Sequence, residues 1–264
     1  MTSPVTTMID GAVGIIELSR PEKFNCLSLE VHELIDRARA AFEANPEVRA
    51  ILIRSTGKHF CTGADLAEVK DSRNNTEKLD HFIGSGMDVL MRLEASPLPV
   101  IVAVQGLCLA GGLELALAAD ICFAAKSAKF GDQHAQFGLI PGWGGSQRLA
   151  RILGLRRALD LMFSARWLTA EEAVHMGLVN YLVPDEELSA RAQDYAATLA
   201  TRSRDGIAAM KQLARRGIEL PLADAMDLER GAVVRHLQGA DTAEGLNAFE
   251  NRRTPNFNQA PRGR

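Results

Sequence analysis

Apolar runs alternate with amphipathic stretches along most of the chain, and the densest run lies within residues 97–125. Val100–Val104 is short, apolar and mostly β-branched, which predicts a strand buried on both faces. Residues 113–119 are rich in Leu and Ala, the composition of a helix buried on most sides, and Ile121–Ala125 predicts a second buried strand. A loop with glycines at both ends, 106–112, joins the first strand to this helix, and the unit is the predicted centre of the fold.

The N-terminal part of the chain predicts further strands and helices in alternation. Apolar runs at 12–18 and 49–54 predict strands, and Ser28 predicts the N-cap of a helix that ends near residue 44. A polar, non-periodic stretch at 71–76 is expected to be mobile, and a helix then runs to about residue 94.

The C-terminal part changes from mixed to purely helical patterns. A glycine-rich stretch from 130 to 146 precedes helices at 147–153 and 155–163, and Thr169-x-x-Glu172 predicts a capping box. A last strand is predicted at 178–183, and only helical patterns follow, one of them opened by Asp241-x-x-Glu244. The sequence therefore predicts an α/β fold, with a core over residues 1–200 and a helical region over 201–264.

Composition narrows the class of protein without naming a function. The chain has 264 residues, of which 47% are hydrophobic and 24% charged, enough for one substantial core. A net charge of −3 gives no general attraction to nucleic acid or to anionic membranes, and the basic stretches 202–204 and 211–216 are expected to be solvated helix faces. The four cysteines lack C-x-x-C spacing, so we expect reduced thiols and no metal site. The N-terminus has no basic region followed by an apolar stretch, which predicts a cytoplasmic protein without a membrane segment.

The loop at 106–112 is open to three interpretations. Gly106-x-x-x-x-Gly111 begins like a phosphate-binding loop, but Gly112 and Leu113 stand where Lys and Ser/Thr are required. A membrane span is excluded because Gln105, Glu114 and Asp120 interrupt the apolar residues. The third interpretation is a site for a developing oxyanion, because a helix N-terminus offers free N–H groups and a positive dipole end.

A second loop repeats this layout of buried strand, glycine turn and helix start. Gly63-Ala64-Asp65 follows the strand at 49–54, as Gly111-Gly112 follows the strand at 100–104. Two backbone N–H groups, one from each loop, would together bind the oxygen of a polarised carbonyl group.

The motifs around these loops resemble the enoyl-CoA hydratase/isomerase (crotonase) superfamily over nearly the whole chain. The matching motifs are Phe60-Cys61-x-Gly63-Ala64-Asp65-Leu66, Ala103-Val104-Gln105-Gly106, Gly111-Gly112-x-Glu114-Leu115-Ala116, Ile140-Pro141-Gly142-x-Gly144-Gly145-Ser146-Gln147-Arg148-Leu149, Ala170-x-x-Ala173-x-x-Met176-Gly177-Leu178-Val179 and the terminal Glu244-Gly245-x-x-Ala248-Phe249-x-x-Arg252-Arg253-x-Pro255-x-Phe257. The resemblance implies a spiral of ββα units, with C-terminal helices that assemble trimers or hexamers. It also implies an acyl-CoA thioester substrate and no separate cofactor, since coenzyme A is part of the substrate.

The resemblance also assigns roles to individual residues. Ala64 and Gly111 would supply the oxyanion-hole N–H groups, and Glu114 matches the first catalytic glutamate of the hydratases. The resemblance also implies that Lys23, Asp65, Leu66 and Arg252 bind the substrate. Trp143 is a further candidate for substrate binding. Trp143 is equally compatible with a core position and with a wall of the acyl pocket.

One position departs from the hydratase pattern. An ungapped alignment places His134 where hydratases usually carry a second glutamate. A histidine accepts or donates a proton near neutral pH, so His134 would serve as the partner of Glu114. Non-catalytic roles remain open for both residues. Glu114 is also explained as a favourable charge at a helix start, and His134 as an ordinary loop residue. Asp120 and Asp132 are predicted to be structural or surface acids.

These observations predict an enoyl-CoA hydratase-type lyase, which adds water to a 2-enoyl-CoA thioester. The nearest alternative is an enoyl-CoA isomerase or other enolate chemistry that needs a single carboxylate. A third alternative, an RNA-binding relative of the superfamily, is disfavoured by the net charge and by the lack of an aromatic–basic stripe.

Overall fold

The computed structural model describes residues 3–257 as a mixed α/β protein. Its strands are β1 Val5–Asp10, β2 Val13–Leu18, β3 Ala50–Ser55, β4 Val100–Val104, β5 Leu107–Leu109, β6 Ile121–Ala125, β7 Lys129–Gly131, β8 Leu168–Thr169 and β9 Tyr181–Val183. Its helices are α1 Leu29–Ala44, α2 Leu66–Ser72, α3 Thr76–Ala95, α4 Gly111–Ala118, α5 Gly145–Leu153, α6 Leu155–Ser164, α7 Ala170–His175, α8 Leu188–Ala200, α9 Arg204–Gly217, α10 Leu222–His236 and α11 Ala240–Glu250.

The main sheet has the strand order β1-β2-β3-β4-β6-β9 and is parallel apart from the β1–β2 hairpin. Gly11 closes that hairpin at a φ of +58°, a value that glycine adopts at little cost. A second, small sheet has the strand order β5-β7-β8. An isolated backbone β-bridge, not a disulfide, pairs Cys61 with Cys108 and so connects the loop after β3 to β5. Since β3 and β4 are parallel neighbours, the loops that follow them emerge at the same edge of the sheet.

Helices cover both faces of the main sheet, which explains why its central strands are apolar on both sides. Every residue of β4 is buried. On one face Ile101 and Leu52 pack with Ala192 and Ala196 of α8. On the other face the larger cluster joins strand residues to α1, α3 and α4, so the start of α4 is set deep in the core.

Most predicted elements are present. The Oγ of Ser28 caps α1 by accepting the N–H of Val31 at 3.3 Å, and Thr169 and Glu172 form the predicted capping box of α7. All four cysteines are unpaired, three of them buried.

Several predictions need correction. β1 is an additional edge strand whose residues are exposed except for Val5, so its sequence carries no buried stripe. The stretch 71–76 is not wholly irregular, since it contains the end of α2, and Asn75 caps α3 through the N–H of Lys78 at 3.0 Å; its expected mobility stays a prediction. Gly239, not Asp241, is the N-cap of α11, since the Asp241 carboxylate accepts the hydroxyl of Ser203 instead.

The C-terminal residues 201–257 form helices without strands, as the sequence predicts, but the basic stretch 211–216 is only partly a solvated face. Lys211, whose side chain is only 10% exposed, binds Asp120 at 2.7 Å and the carbonyl of Leu98 at 3.1 Å. The boundary predicted at residue 200 stays a prediction, and its C-terminal unit is described only to residue 257. Within the described residues no helix is long and apolar enough to cross a membrane.

Candidate active site

The turn that leads into α4 exposes the first N–H groups of a buried helix. Ala110 precedes the helix with φ +48° and ψ −119°, a conformation that is costly for any residue with a Cβ. Its N–H donates to the carbonyl of Gly131 at 2.9 Å, and its carbonyl accepts the N–H of Glu114 at 3.0 Å. No side chain caps α4, so the N–H of Gly111 is left for another acceptor.

The loop after β3 brings a second N–H group to the same place. Leu27 pairs with this loop, donating to the carbonyl of Gly63 and accepting from the N–H of Asp65, both at 2.8 Å. A Cβ built on Gly63 would lie 3.0 Å from the Cβ of Ala110 and 3.2 Å from the nitrogen of Gly111, so the two loops touch. Within residues 3–257 neither the N–H of Ala64 nor that of Gly111 has an acceptor.

Glu114 lies in the first turn of α4 and is only 2% exposed. Its Oε1 accepts the backbone N–H groups of Trp143 and Gly145, each at 2.8 Å, which fixes the carboxylate. Its Oε2 accepts no hydrogen bond from any other described residue. Burial raises the pKa of Glu114, while the N–H of Gly145, the charge of His134 and the N–H of Trp143 act against that rise.

His134 begins a short 3₁₀ helix after β7 and is close enough to Glu114 for their charges to interact. Its Nδ1 lies 3.0 Å from Oδ1 of Asp132, a residue that is 1% exposed. Burial alone would lower the pKa of His134, but the hydrogen bond to Asp132 and the charges of Asp132 and Glu114 outweigh it and raise the pKa above its ordinary 6.5. Asp132 therefore holds the imidazole through Nδ1 and favours its protonated form. The other ring nitrogen, Nε2, has no hydrogen-bond partner among the described residues.

Trp143 belongs to the loop that holds Glu114, and its ring is buried. The indole packs edge-on to His32, with ring centroids 4.8 Å apart, and lies 5.6 Å from the ring of Phe82. A Cβ built on Gly111 or on Gly86 would overlap the indole, so the ring is wedged between α4 and α3.

Arg148 fixes the same loop from the opposite side. Its Nη1 donates to the carbonyl of Trp143 at 2.7 Å, and its Nη2 binds Oε2 of Glu94 at 2.8 Å. Arg215 of α9 binds Oε1 of Glu94 at 2.6 Å and Asp120 at 2.8 Å. A continuous chain of charged hydrogen bonds thus links α9 to the loop that orients Glu114.

The other predicted substrate-binding residues lie around this centre rather than within it. Lys23 is exposed on a short 3₁₀ helix, and Leu66, 60% exposed, is the first residue of α2. Asp65 is already occupied, because it caps α2 through the N–H of Ala67 and pairs with Arg20 at 3.1 Å. Arg252 is exposed after α11, and none of the described contacts links it to Ala64 or Glu114.

Sequence reasoning assigned no active-site role to Asp132 or Arg148. Asp132 is not on the surface, and its position two residues before His134 was the available signal for a carboxylate–imidazole pair. The contact between Arg148 and the carbonyl of Trp143 carries no comparable signal, since it depends on how α5 packs.

Comparisons with known proteins identify the family of the chain. The profile of the enoyl-CoA hydratase/isomerase family matches residues 8–260. A probable enoyl-CoA hydratase of Mycobacterium leprae is 37% identical over 96% of this chain and 97% of its own length. A short-chain-enoyl-CoA hydratase of Clostridium acetobutylicum is 33% identical over 92% of this chain and 93% of its own.

Solved structures extend the agreement to three dimensions. The crystal structure of an enoyl-CoA hydratase from Bacillus anthracis has a TM-score of 0.92 at 32% identity, covering 97% of this chain and 99% of that chain. This match confirms the predicted crotonase-like α/β fold with its helical C-terminal region. The chain is therefore a member of the enoyl-CoA hydratase/isomerase family.

Proposed function

We propose that this protein is an enoyl-CoA hydratase, which adds water across the 2,3 double bond of a 2-enoyl-CoA thioester. The observation that carries the proposal is the fixed carboxylate of Glu114, one helical turn from the unpaired N–H of Gly111 and close enough to His134 for their charges to interact. The hydratase names of the relatives support the same reaction.

The two N–H groups of Ala64 and Gly111 bind the thioester oxygen in this proposal. As charge develops on that oxygen during water addition, donors already in place stabilise the enolate without reorganisation. One such donor is worth about 2.7–4 kcal/mol of transition-state stabilisation.

Glu114 and His134 divide the proton transfers. The free Oε2 of Glu114 takes a proton from a water molecule as the water oxygen bonds to C3. The imidazolium of His134 gives its proton to C2 of the enolate, which completes the addition of one water molecule. A proton then passes from Glu114 back to His134, directly or through solvent, and the site is restored.

Residues at the rim bind the coenzyme A part of the substrate. The exposed Lys23 and Arg252 supply positive charge for its phosphates, and Leu66 contacts the channel between nucleotide and thioester. The side chain of Asp65 instead holds α2 in place through Arg20.

A second candidate is a CoA-thioester isomerase, favoured by the histidine in place of a second carboxylate. An isomerase moves a proton from one carbon to another, for which a single base is sufficient. The free Oε2 of Glu114 would be that base.

A panel of 2-enoyl-CoA thioesters with mass-spectrometric detection distinguishes the two reactions. A hydratase yields a product heavier by the mass of water. An unchanged mass with a shifted double bond indicates an isomerase, and no product from any thioester contradicts both.

We also propose that the C-terminal helices assemble a trimer or hexamer. α10 contains no buried residue and exposes Leu222, which is 77% exposed, while Ile218 at the end of α9 is 74% exposed. A groove of about 990 Å³ between α3, α5 and α9 is lined by Met87 and Met91, which are also exposed. Apolar surface of this extent is typical of an interface. Light scattering at micromolar concentration tests the proposal, and a monomeric mass contradicts it.

A further inference from the structure

The indole of Trp143 occupies the space directly beside the proposed oxyanion donor. Its six-membered ring covers the face of Gly111 on which a Cβ would project, and its five-membered ring covers the same face of Gly86 on α3. Phe82 and His32 close the far side of the ring, and Trp143 as a whole is 3% exposed. The indole is thus packed between Gly111 and Gly86 and against the rings of Phe82 and His32.

Hydrogen bonds do not explain the choice of tryptophan. Its Nε1 is buried without a partner among the described residues, and so are both ring nitrogens of His32. A buried N–H that lacks a partner costs about 1–3 kcal/mol, a cost that phenylalanine or leucine would avoid in a simple core position. The size of the indole is therefore the property that this position uses.

The acyl chain of the substrate approaches this ring if the proposed function is right, and the inference rests on that function. The thioester oxygen lies at the nitrogen of Gly111, and C3 lies near the carboxylate of Glu114, which the backbone of Trp143 itself holds. Acyl carbons beyond C3 then continue past the wall formed by Trp143, Phe82 and Ile83. The side chain of Ile83 lies 3.2 Å from the position that a Cβ on Gly142 would occupy.

We propose that Trp143 closes the acyl pocket and restricts the protein to short 2-enoyl-CoA thioesters of crotonyl size. A longer saturated or unsaturated chain has no room while the indole lies between Gly111 and Gly86. Trp143 acts in this way as a specificity-determining residue, separate from the role of its backbone N–H toward Glu114.

Binding of saturated acyl-CoA thioesters tests the inference without requiring the hydration reaction. Calorimetry compares butyryl-CoA with octanoyl-CoA on the wild-type protein and on Trp143→Ala, which keeps the N–H that Glu114 needs. Each buried methylene is worth about fourfold in affinity. We expect the wild type to prefer butyryl-CoA, and the ratio of octanoyl to butyryl affinity to rise at least about tenfold in Trp143→Ala.

A second substitution refills the same space from the opposite helix. In Trp143→Ala/Gly86→Leu, the new side chain points from α3 into the volume that the indole leaves, so the preference for butyryl-CoA should return. Trp143→Phe serves as the matched control: it retains most of the volume and removes Nε1, and should leave the ratio within about threefold of wild type. If Trp143→Ala does not fold, Trp143→Leu takes its place, with a smaller rise in the ratio expected.

An unchanged ratio in folded Trp143→Ala overturns the inference, as does a wild type that binds octanoyl-CoA as well as butyryl-CoA. A wild type that binds butyryl-CoA selectively but does not hydrate crotonyl-CoA contradicts the proposed hydratase function and leaves the assignment of Trp143 standing.

Discussion

The starts of α2 and α4, which meet at the candidate active site, differ in what satisfies their first N–H groups. α2 has a conventional polar cap: Asp65 accepts the N–H of Ala67, is paired with Arg20, and belongs to a helix with no buried residue. α4 has no side-chain cap, starts from the strained Ala110, and is buried over its whole length. In both loops one N–H group, that of Ala64 or of Gly111, lacks an acceptor among the described residues, and the two loops are in contact.

The difference separates an adjustable side of the site from a rigid one. A helix on the surface shifts at low cost, whereas α4 is surrounded by close-packed residues and cannot move without opening the core. Gly111 and Glu114, the proposed donor and the proposed base, lie on the rigid side. The adjustable side carries Ala64 and the exposed Leu66.

The same acid-to-amide change at the two helix starts gives the largest contrast. Glu114→Gln keeps the shape of the side chain but removes the base, so we expect hydration to fall by a factor near the top of about 10²–10⁴. Asp65→Asn retains a capping oxygen and loses the ion pair with Arg20, so activity should fall by less than about tenfold. Steady-state kinetics on both variants, with circular dichroism to verify folding, makes the comparison. Equal losses at the two positions would contradict the division into rigid and adjustable sides.

Changes at His134 test whether the loop after β7 belongs to the rigid side. His134→Ala should lower kcat by about 10²–10⁴, and His134→Glu should restore part of the activity by supplying a second carboxylate. In the double variant Glu114→Gln/His134→Ala, two groups that act as a unit lose little more than the worse single change. Fully additive losses would reject the shared proton transfer and favour isomerase chemistry.

Side-chain size at the two donor residues gives a third contrast. Gly111→Ala places a Cβ against the indole of Trp143, and such overpacking costs about 1–3 kcal/mol of stability. A displaced donor should also lower kcat by up to about 10²-fold. In a Trp143→Ala background the same change should cost much less, whereas Ala64→Gly should change kcat only a few-fold. Thermal unfolding and kinetics on the four variants measure the coupling, and an additive penalty would show that the indole does not constrain Gly111.

The pH dependence of activity sharpens the role of Asp132. Because Asp132 raises the pKa of His134, the protonated imidazole persists to higher pH, and activity is lost as the pH rises through that pKa. Asp132→Asn should move this alkaline limb to lower pH and reduce activity about tenfold at neutral pH. The acidic limb should move in the same direction, since the charge of Asp132 also raises the pKa of Glu114. If the pH profile of Asp132→Asn has the same acidic and alkaline limbs as the wild type, Asp132 contributes only to packing.

Relief of strain at Ala110 should give the smallest effect. Glycine adopts a φ of +48° and a ψ of −119° readily, so Ala110→Gly should stabilise the fold by about 1 kcal/mol. Denaturant unfolding measures the change, and Gly106→Ala, which places a Cβ on the carbonyl of Lys58, is the opposite control. A destabilised Ala110→Gly would show that the Ala110 conformation carries no strain.

The sequence was informative wherever a local pattern decides the structure. The buried helix at 113–119, the Ser28 cap and the Thr169 capping box depend on neighbouring residues, and all are present. The family resemblance, carried by motifs along the whole chain, was confirmed by the comparisons.

Features that depend on distant residues were not predictable. The short strands β5 and β7 exist because they pair with each other across the α4–β6 segment, and their own sequences carry weak signals. The basic stretch 211–216 is indistinguishable from a solvated face until Lys211 and Arg215 meet Asp120 and Glu94. The roles assigned to the site residues stay predictions until substrate is bound or turned over. These residues are Glu114, His134, Ala64, Gly111, Lys23, Asp65, Leu66, Trp143 and Arg252.

The chain of charged hydrogen bonds from α9 to the Trp143 carbonyl has a consequence for the order in which the protein is made. The strands, α4 and Glu114 precede Arg215 in the chain and are therefore synthesised before it. Until α9 docks, Glu94 lacks its partner Arg215, and the clamp that Arg148 places on the loop above Glu114 is incomplete. A chain interrupted after α8 would lack Arg215, so Glu94 would keep Arg148 but lose its partner on α9, and we expect the Trp143 loop to be held less firmly.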